Sequence, residues 1–379
     1  MIIGLLGLGN LGGGVYEMLS ARDDIQVKYV LCQGQPERIS AAVVRDLQVI
    51  LDDPEVDTVV ELVGGVETGL DFIRRSLLAG KHVVTANKHL IHRYQRELLD
   101  LARERNVFLR FTAAAGGGIG WLTGLERCKR ADTIHEVTGI FNGTTNYILD
   151  TMHMSPVSFQ AALNRAQDFG YAEKDPAFDL DGKDSQIKLV ISANVAFDAN
   201  IDPDQVLVRG IRGIQRRDVE TFLAHGFCCR LLGSAEHYAN SLSAVVEPTL
   251  VEQKDLEAAV HSNYNLLTYV SRHAGKQSLY GQGAGRYPAA YNVVQDLLDI
   301  SAGKLSYTSS SRPLDNIDNR AFVRQYYVRT SLSEPWLWTR TEERWESGVI
   351  TCRLPASEMH AWANDARLKD PELFFAALR

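Results

Sequence analysis

Six residues, Gly7-Leu8-Gly9-Asn10-Leu11-Gly12, constrain this chain more than any other stretch. They follow a short apolar run, Ile2–Leu6, and open a helical pattern over 11–20. In that setting the first glycine permits a tight turn and the second lets backbone approach a pyrophosphate. The third allows close helix–strand packing. Amides at the helix N-terminus then face the negative phosphates. More short strands are predicted at Gln26–Leu31, 58–62, His82–Thr85 and 107–111, with helices over 68–78 and 94–105. Strands alternating with helices make βαβ units, and right-handed crossovers turn these into a doubly wound parallel sheet. The expected fold class is α/β: a Rossmann-like sheet with a second α+β domain.

An NAD-selective site places Asp or Glu about 20 residues beyond the glycines, on the ribose 2′-hydroxyl. Leu31-Cys32-Gln33-Gly34-Gln35 offers no acid there. Neutral Gln33 with Arg38 nearby tolerates a 2′-phosphate, so NADP is the expected cofactor and NAD the alternative.

From Thr133 the texture changes. A strand is predicted over 135–141, a helix over 145–154, and Ser158 as N-cap of a helix that ends at Phe169 before Gly170. A long helix, Lys183–Phe197, follows Gly182, with strands over 243–246 and 277–280 and a helix over 289–301. The expected division is 1–132, completed by about 286–320, then 133–285, then a short appendage over 321–379. Four of the five tryptophans, Trp336, Trp338, Trp345 and Trp362, fall in that tail. They suit an interface, a small appended module, or the ordinary core of a short C-terminal subdomain, and the last is preferred.

Composition excludes several classes. Lys and Arg number 40 against 47 Asp and Glu, a net charge of −7, and no basic block exists to neutralise phosphates, so no nucleic-acid partner is expected. No run approaches about 18 apolar residues, so no membrane span is expected either. Met1 leads straight into a strand pattern without a basic-then-apolar leader, which argues against secretion. Cys32, Cys128, Cys228, Cys229 and Cys352 form no CxxC pair or metal-ligand spacing. They read as reduced thiols of a cytoplasmic protein.

Three further segments carry chemistry. Lys88 ends Val83-Val84-Thr85-Ala86-Asn87-Lys88, at the carboxyl edge of a strand where open α/β sheets bind ligands. It orients a substrate or relays a proton there, or is simply a solvated lysine at a helix start. The stretch 170–184 holds five acids, Glu173, Asp175, Asp179, Asp181 and Asp184. On the helix that follows, Asp184 and Lys188 share one face, and Asp184 in the first turn suits the helix dipole. Acids at this density suit an amino-group ligand, and an exposed capping acid with an i,i+4 salt bridge is the competing reading. Gly281-Gln282-Gly283-Ala284-Gly285 permits a close backbone approach to a ligand, or a plain tight connection.

Taken together, the segments 7–15, 79–88, 139–149, 170–189 and 281–285 resemble the homoserine dehydrogenases in content and order, over about residues 1–305. The resemblance implies a Rossmann domain joined to a substrate and dimerisation domain. It implies a small-molecule reaction, the NAD(P)-dependent interconversion of L-aspartate 4-semialdehyde and L-homoserine on the route to threonine, methionine and isoleucine, in a homodimer or homotetramer. Carried over by position, Lys188 is the proton donor and Lys88 the second active-site lysine. Glu173, Asp184, Asn142, Gly143 and Thr144 bind substrate. Gly7, Gly9, Asn10, Leu11, Gly12, Gly64, Thr85, Lys88, Gly283 and Gly285 bind cofactor. A monovalent cation is implied on the backbone of Ala115, Gly117 and Ile119.

Three features depart from the family pattern. Thr112 stands where the family has an acid and Gly120 where it has proline, which counts against the cation. Gln282 replaces a common proline. The tail is too short and too Trp-rich for an obvious threonine-sensing ACT domain, and shares little beyond Tyr326-Tyr327-Val328-Arg329 with its first strand. A monofunctional chain without threonine feedback is therefore expected. A reductase of another short amino-aldehyde and a silent cofactor sensor on the same fold are the competing functions.

Overall fold

The computed structural model describes residues 1–34, 39–238, 241–303, 307 and 314–379, in two compact units. The first comprises Met1–Ala131, Asn194–Asn200 and Gln282–Pro313. Its strands are β1 (Ile2–Leu6), β2 (Gln26–Leu31), β3 (Ala42–Val44), β4 (Thr58–Glu61), β5 (His82–Thr85) and β6 (Leu109–Arg110). All pair in parallel, in the order β3-β2-β1-β4-β5-β6. This is the doubly wound order, and its direction reverses between β1 and β4. Ligands of such sheets bind at that reversal, outside the strands' carboxyl ends.

Local chemistry explains where elements differ from expectation. The helix expected over 94–105 runs Lys88–Glu104, because the Asn87 side chain caps it by accepting from the Leu90 amide at 3.3 Å. β6 is short because a 3-10 turn begins at Thr112. The helix over 289–301 starts earlier, at Arg286, with Gly285 before it.

The core of this unit joins Ile3, Leu5, Val30, Val60 and Val84 of the sheet to Val15 and Leu19 of helix Asn10–Ser20 and to Ala290, Val293 and Leu297. Helix Arg286–Ser301 therefore completes the layer on one face of the parallel sheet. Burying each of the Val, Leu and Ile side chains of this core contributes about 1.5–3 kcal/mol. Gly14 allows the two helices to close: a Cβ there would lie 3.0 Å from Arg286 Cγ and 3.4 Å from Ala290 Cβ.

The second unit comprises Asp132–Ala193, Ile201–Gly281 and Leu314–Arg379. Its strands are β7 (Ile134–Ile140), β8 (Leu207–Val208), β9 (Phe227–Tyr238), β10 (Ser241–Glu252), β11 (Asn265–Ser271), β12 (Gly275–Gly281), β13 (Val323–Arg329), β14 (Thr341–Arg344), β15 (Val349–Thr351), β16 (Leu354–Pro355) and β17 (Phe374–Leu378). They form one sheet in the order β12-β11-β7-β9-β10-β17-β13-β15-β14, with β8 on β10 and β16 on β13.

The residues read from sequence as an appendage extend this sheet. β17 pairs in parallel with β10, Thr249 opposite Ala377. Within the tail, β13, the one-turn helix Pro335–Trp338, β14, β15, helix Ala356–Arg367 and β17 follow a βαββαβ path, with strands in the spatial order 4-1-3-2 and antiparallel neighbours. The sequence hides this pattern because the first helix is reduced to four residues. Trp336 and Trp362 stack at 4.6 Å around a small core containing Tyr326, Leu354, Met359 and Phe375. Trp338 is exposed.

One buried ion cluster ties the first unit's layers together. The Arg110 guanidinium donates to Asp296 at 3.0 Å, pairs with Asp299 at 3.0 Å and reaches Glu126 at 3.5 Å. Its face covers the Tyr307 ring at 5.1 Å. Arg110→Ala leaves these carboxylates without their shared cation, and a loss of about 3–5 kcal/mol is expected on urea unfolding. A loss below about 1 kcal/mol, the scale of an exposed pair, would show that the cluster contributes no more than a surface bridge.

Candidate active site

The three glycines of the first turn do different work. Gly7 has φ +91°, and a Cβ on it would lie 2.7 Å from the Leu62 carbonyl oxygen. A Cβ on Gly12 would lie 2.1 Å from the Gly7 carbonyl oxygen. Both positions therefore serve the protein's own backbone. A Cβ on Gly9 meets nothing within 4 Å. Open space thus lies at the start of helix Asn10–Ser20, which no side chain caps. The first-turn amides of Asn10, Leu11 and Gly12 have no partner within the helix, and with the helix dipole they form a positive end that suits an anion. Gly64, following β4 at the topological reversal, has φ +75° and equally open surroundings. Exposed Gln33 ends the second-strand segment, and Arg38 lies outside the described residues.

Beneath this edge sits a residue that sequence reasoning passed over. Glu61, fully buried at the end of β4, accepts from the Thr85 hydroxyl at 2.7 Å and the Val63 amide at 3.0 Å. Burial pushes its carboxyl above the usual range, and the Thr85 hydroxyl opposes that shift. Thr85 in turn accepts from the Asn87 amide, and Asn87 donates to the Gly65 carbonyl at 2.7 Å. This chain of bonds sets half-buried Lys88 at the first position of its helix. An acid inside the apolar strand 58–62 was the available signal.

The late glycine loop meets the 115–120 turn in the same unit. The Gly118 amide donates to the Gln282 carbonyl at 3.0 Å, and a Cβ on Gly117 would lie 2.3 Å from the Gly283 carbonyl carbon. Gly285 has φ +126° and caps helix Arg286–Ser301. Asn292 of that helix, 2% exposed, donates its amide to the carbonyls of Gly117 at 2.5 Å and Ile119 at 3.0 Å.

The second unit gathers the carboxylate–lysine cluster. Gly182, at φ +81°, turns the chain into helix Lys183–Phe197, which places Asp184 in its first turn and Lys188 one turn on. The Lys188 ammonium lies 2.7 Å from the Asp184 carboxylate and donates to the Phe141 carbonyl at 2.9 Å. Asp184 and Lys188 are 3% and 7% exposed, which rules out the exposed i,i+4 bridge. A surface helix pair contributes a few tenths of a kcal/mol; two buried charges persist only when paired and hydrogen-bonded.

Asn142 completes the cluster. Its side-chain oxygen caps helix Gly143–Met154 by accepting from the Thr145 amide at 2.8 Å, and its amide donates to Asp179 at 2.7 Å and Asp184 at 2.8 Å. Gly143 has no room for a side chain, because a Cβ would lie 2.5 Å from the Asn263 carbonyl oxygen. The Thr144 hydroxyl donates to the Tyr171 carbonyl at 2.6 Å.

Of the five acids, the structure brings only Asp179 and Asp184 to Asn142 and Lys188. Glu173 is exposed, and its carboxylate makes no hydrogen bond or ion pair among the described residues. Asp175 caps the Ala177 amide and Asp181 pairs with Arg212. Asp179 belongs to the cluster although spacing alone did not single it out, since Asn142 lies 37 residues away.

Burial, and after it the Asp184 charge, raise the Asp179 carboxyl above its ordinary value. A raised carboxyl favours folding below its unfolded pKa, and that contribution disappears as pH climbs through the folded value. Asn142 opposes the loss by donating to the ionised forms. Asn142→Ala is expected to cost about 1 kcal/mol in acid, the cap alone, and about 1.5–3 kcal/mol more near neutrality. Thermal unfolding of variant and parent across that range tests it; a pH-independent difference would separate Asn142 from the carboxylates.

Comparison with known proteins gives one consistent picture. The family model described as homoserine dehydrogenase matches residues 121–298, and that of the homoserine dehydrogenase NAD binding domain matches 7–112. The homoserine dehydrogenase of Bacillus subtilis is 35% identical over 82% of this chain and 75% of its own length. That of Synechocystis is 34% identical over 87% and 79%. The crystal structure of a homoserine dehydrogenase from Thiobacillus denitrificans superposes with a TM-score of 0.88 at 29% identity, covering 100% of this chain and 98% of that one. Both the homoserine dehydrogenase NAD binding domain and the homoserine dehydrogenase domain are thus matched, and the chain belongs to the homoserine dehydrogenase family, whose members are oxidoreductases.

Proposed function

We propose that this chain interconverts L-aspartate 4-semialdehyde and L-homoserine, with NADP as the preferred cofactor. The observation that carries the reading is the buried Asp184–Lys188 pair at 2.7 Å. An ammonium group at 7% exposure persists only because it is paired and hydrogen-bonded, and a buried lysine held beside a carboxylate is suited to proton transfer. The lack of an acid in Leu31-Cys32-Gln33 supports the phosphate-bearing cofactor.

The open space above Gly9 and the uncapped helix fit a dinucleotide's pyrophosphate. Asn10, Leu11 and Gly12 would hold it through their amides, with Gly64, Thr85, Lys88, Gly283 and Gly285 along the remaining length. A bound nicotinamide supplies or accepts the hydride. Lys188 stabilises the oxygen that gains negative charge at the aldehyde and hands it a proton, assisted by Lys88. Asp184 keeps the Lys188 ammonium charged and aimed. Asp179 and Asp184, with Glu173 reaching from the surface, receive the substrate's own ammonium group. Asn142, Gly143 and Thr144 set the turn against which the amino acid lies. A homodimer or homotetramer is the proposed assembly. Among the described residues, no helix is long and apolar enough to cross a membrane.

The test is oxidation of L-homoserine with NADP and with NAD at alkaline pH, following absorbance of the reduced nicotinamide. Faster turnover with NADP is expected. No reduction of either, alongside demonstrable cofactor binding, would leave a silent sensor. Lys188→Ala is expected to lower turnover by at least about a hundredfold, the lower scale for a positioned acid. Near-normal turnover in that variant would remove Lys188 from the role.

A further inference from the structure

The family resemblance implies a monovalent cation on the carbonyls of Ala115, Gly117 and Ile119, and the residues present do not fit one. The Asn292 amide nitrogen lies 2.5 Å from the Gly117 oxygen and 3.0 Å from the Ile119 oxygen. Hard cations sit on the order of 2.5 Å from such oxygens, and the nitrogen occupies the space against two of the three carbonyls that would hold the ion. The orientation of the side chain is chemically determined. Both neighbours are acceptors, and a carboxamide has two N–H donors on one end only. One –NH2 therefore satisfies two buried carbonyls, the task that a cation would perform.

The charge balance agrees. Thr112 holds the family's acid position, and Asp296 does not replace that acid as an ion ligand. Asp296 accepts from the Thr112 hydroxyl at 2.6 Å, from the Thr112 amide at 2.8 Å and from Arg110 at 3.0 Å. The Arg110 cation thus already compensates its charge. Among the described residues, no group of three or more His, Cys, Asp or Glu is placed to hold a metal. Asn292 and Asp296 are four apart on helix Arg286–Ser301 and share a face. That face pins Thr112 at one end of the turn and Gly117 and Ile119 at the other.

We propose that the Asn292 carboxamide replaces the monovalent cation in this chain, making the turn beside the late glycine loop independent of Na⁺ and K⁺. The inference stands on the geometry of the first unit, and a thermal readout separates it from the assigned reaction. Thermal unfolding and turnover are measured in NaCl, KCl and choline chloride at one ionic strength. The parent's Tm is expected to differ by less than about 1 °C and its turnover by less than about twofold, because an ion without a site adds no linkage. Asn292→Asp sets carboxylate oxygens against two carbonyls. Its Tm is expected to fall in choline and to rise by about 3 °C or more with saturating Na⁺ or K⁺. Asn292→Ala, which removes the donors without adding charge, is expected to show the same recovery to a smaller degree. A saturable rise in the parent's Tm with Na⁺ or K⁺ overturns the proposal. Variants that stay indifferent to the cation also overturn it, since the amide would then not be doing an ion's work.

Discussion

A charge taken out of water must be answered by other charges and donors, and this constraint organises both units. In the second, Lys188 is kept at 7% exposure by Asp184, the Phe141 carbonyl and, through Asp184, the Asn142 amide. The ends of β7, helix Gly143–Met154 and helix Lys183–Phe197 are brought together at this point. The desolvation penalty of either ion alone is several kcal/mol, so the pair persists only with its surrounding donors in place. In the first unit the same logic surrounds Arg110 with Asp296, Asp299 and Glu126.

These two clusters serve different ends. The Arg110 cluster is closed: its partners are protein groups and the Tyr307 ring, and it fastens helix Arg286–Ser301 to the end of β6. The Asp184 cluster contains two like-charged carboxylates on one bridging amide, an arrangement that leaves Asp179 with a raised pKa. Two acids kept close together with one lysine have residual demand for a cation. In the proposed reaction the ammonium group of the amino acid would meet that demand beside the buried Lys188.

How much of this was legible follows from the range over which each signal acts. The glycine turn is local: Gly7, Gly9 and Gly12 occupy one turn between one strand and one helix, and their steric roles follow from six consecutive residues. Asp184 and Lys188 are one helical turn apart, so their encounter was readable as well. The Asn142 bridge to Asp179 was not, because it joins residues 37 apart whose meeting depends on two helix starts. Nor was the βαββαβ path of the tail, in which a four-residue helix carries too little periodicity to be seen.

The sequence by itself determined the parallel sheet, the glycine turn and the facing of Asp184 with Lys188, since each rests on spacing within a turn or on strand–helix alternation. Tertiary structure decided which acids count. It buried Asp179 and Asp184, left Glu173 exposed, and placed Glu61 under the Thr85–Asn87 cap. It also decided that Asn292, more than 170 residues from Gly117, donates its amide to the carbonyls of Gly117 and Ile119. Burial and hydrogen-bond partnership are properties of the packed chain, and no local pattern specifies which distant carbonyl a side-chain amide will reach.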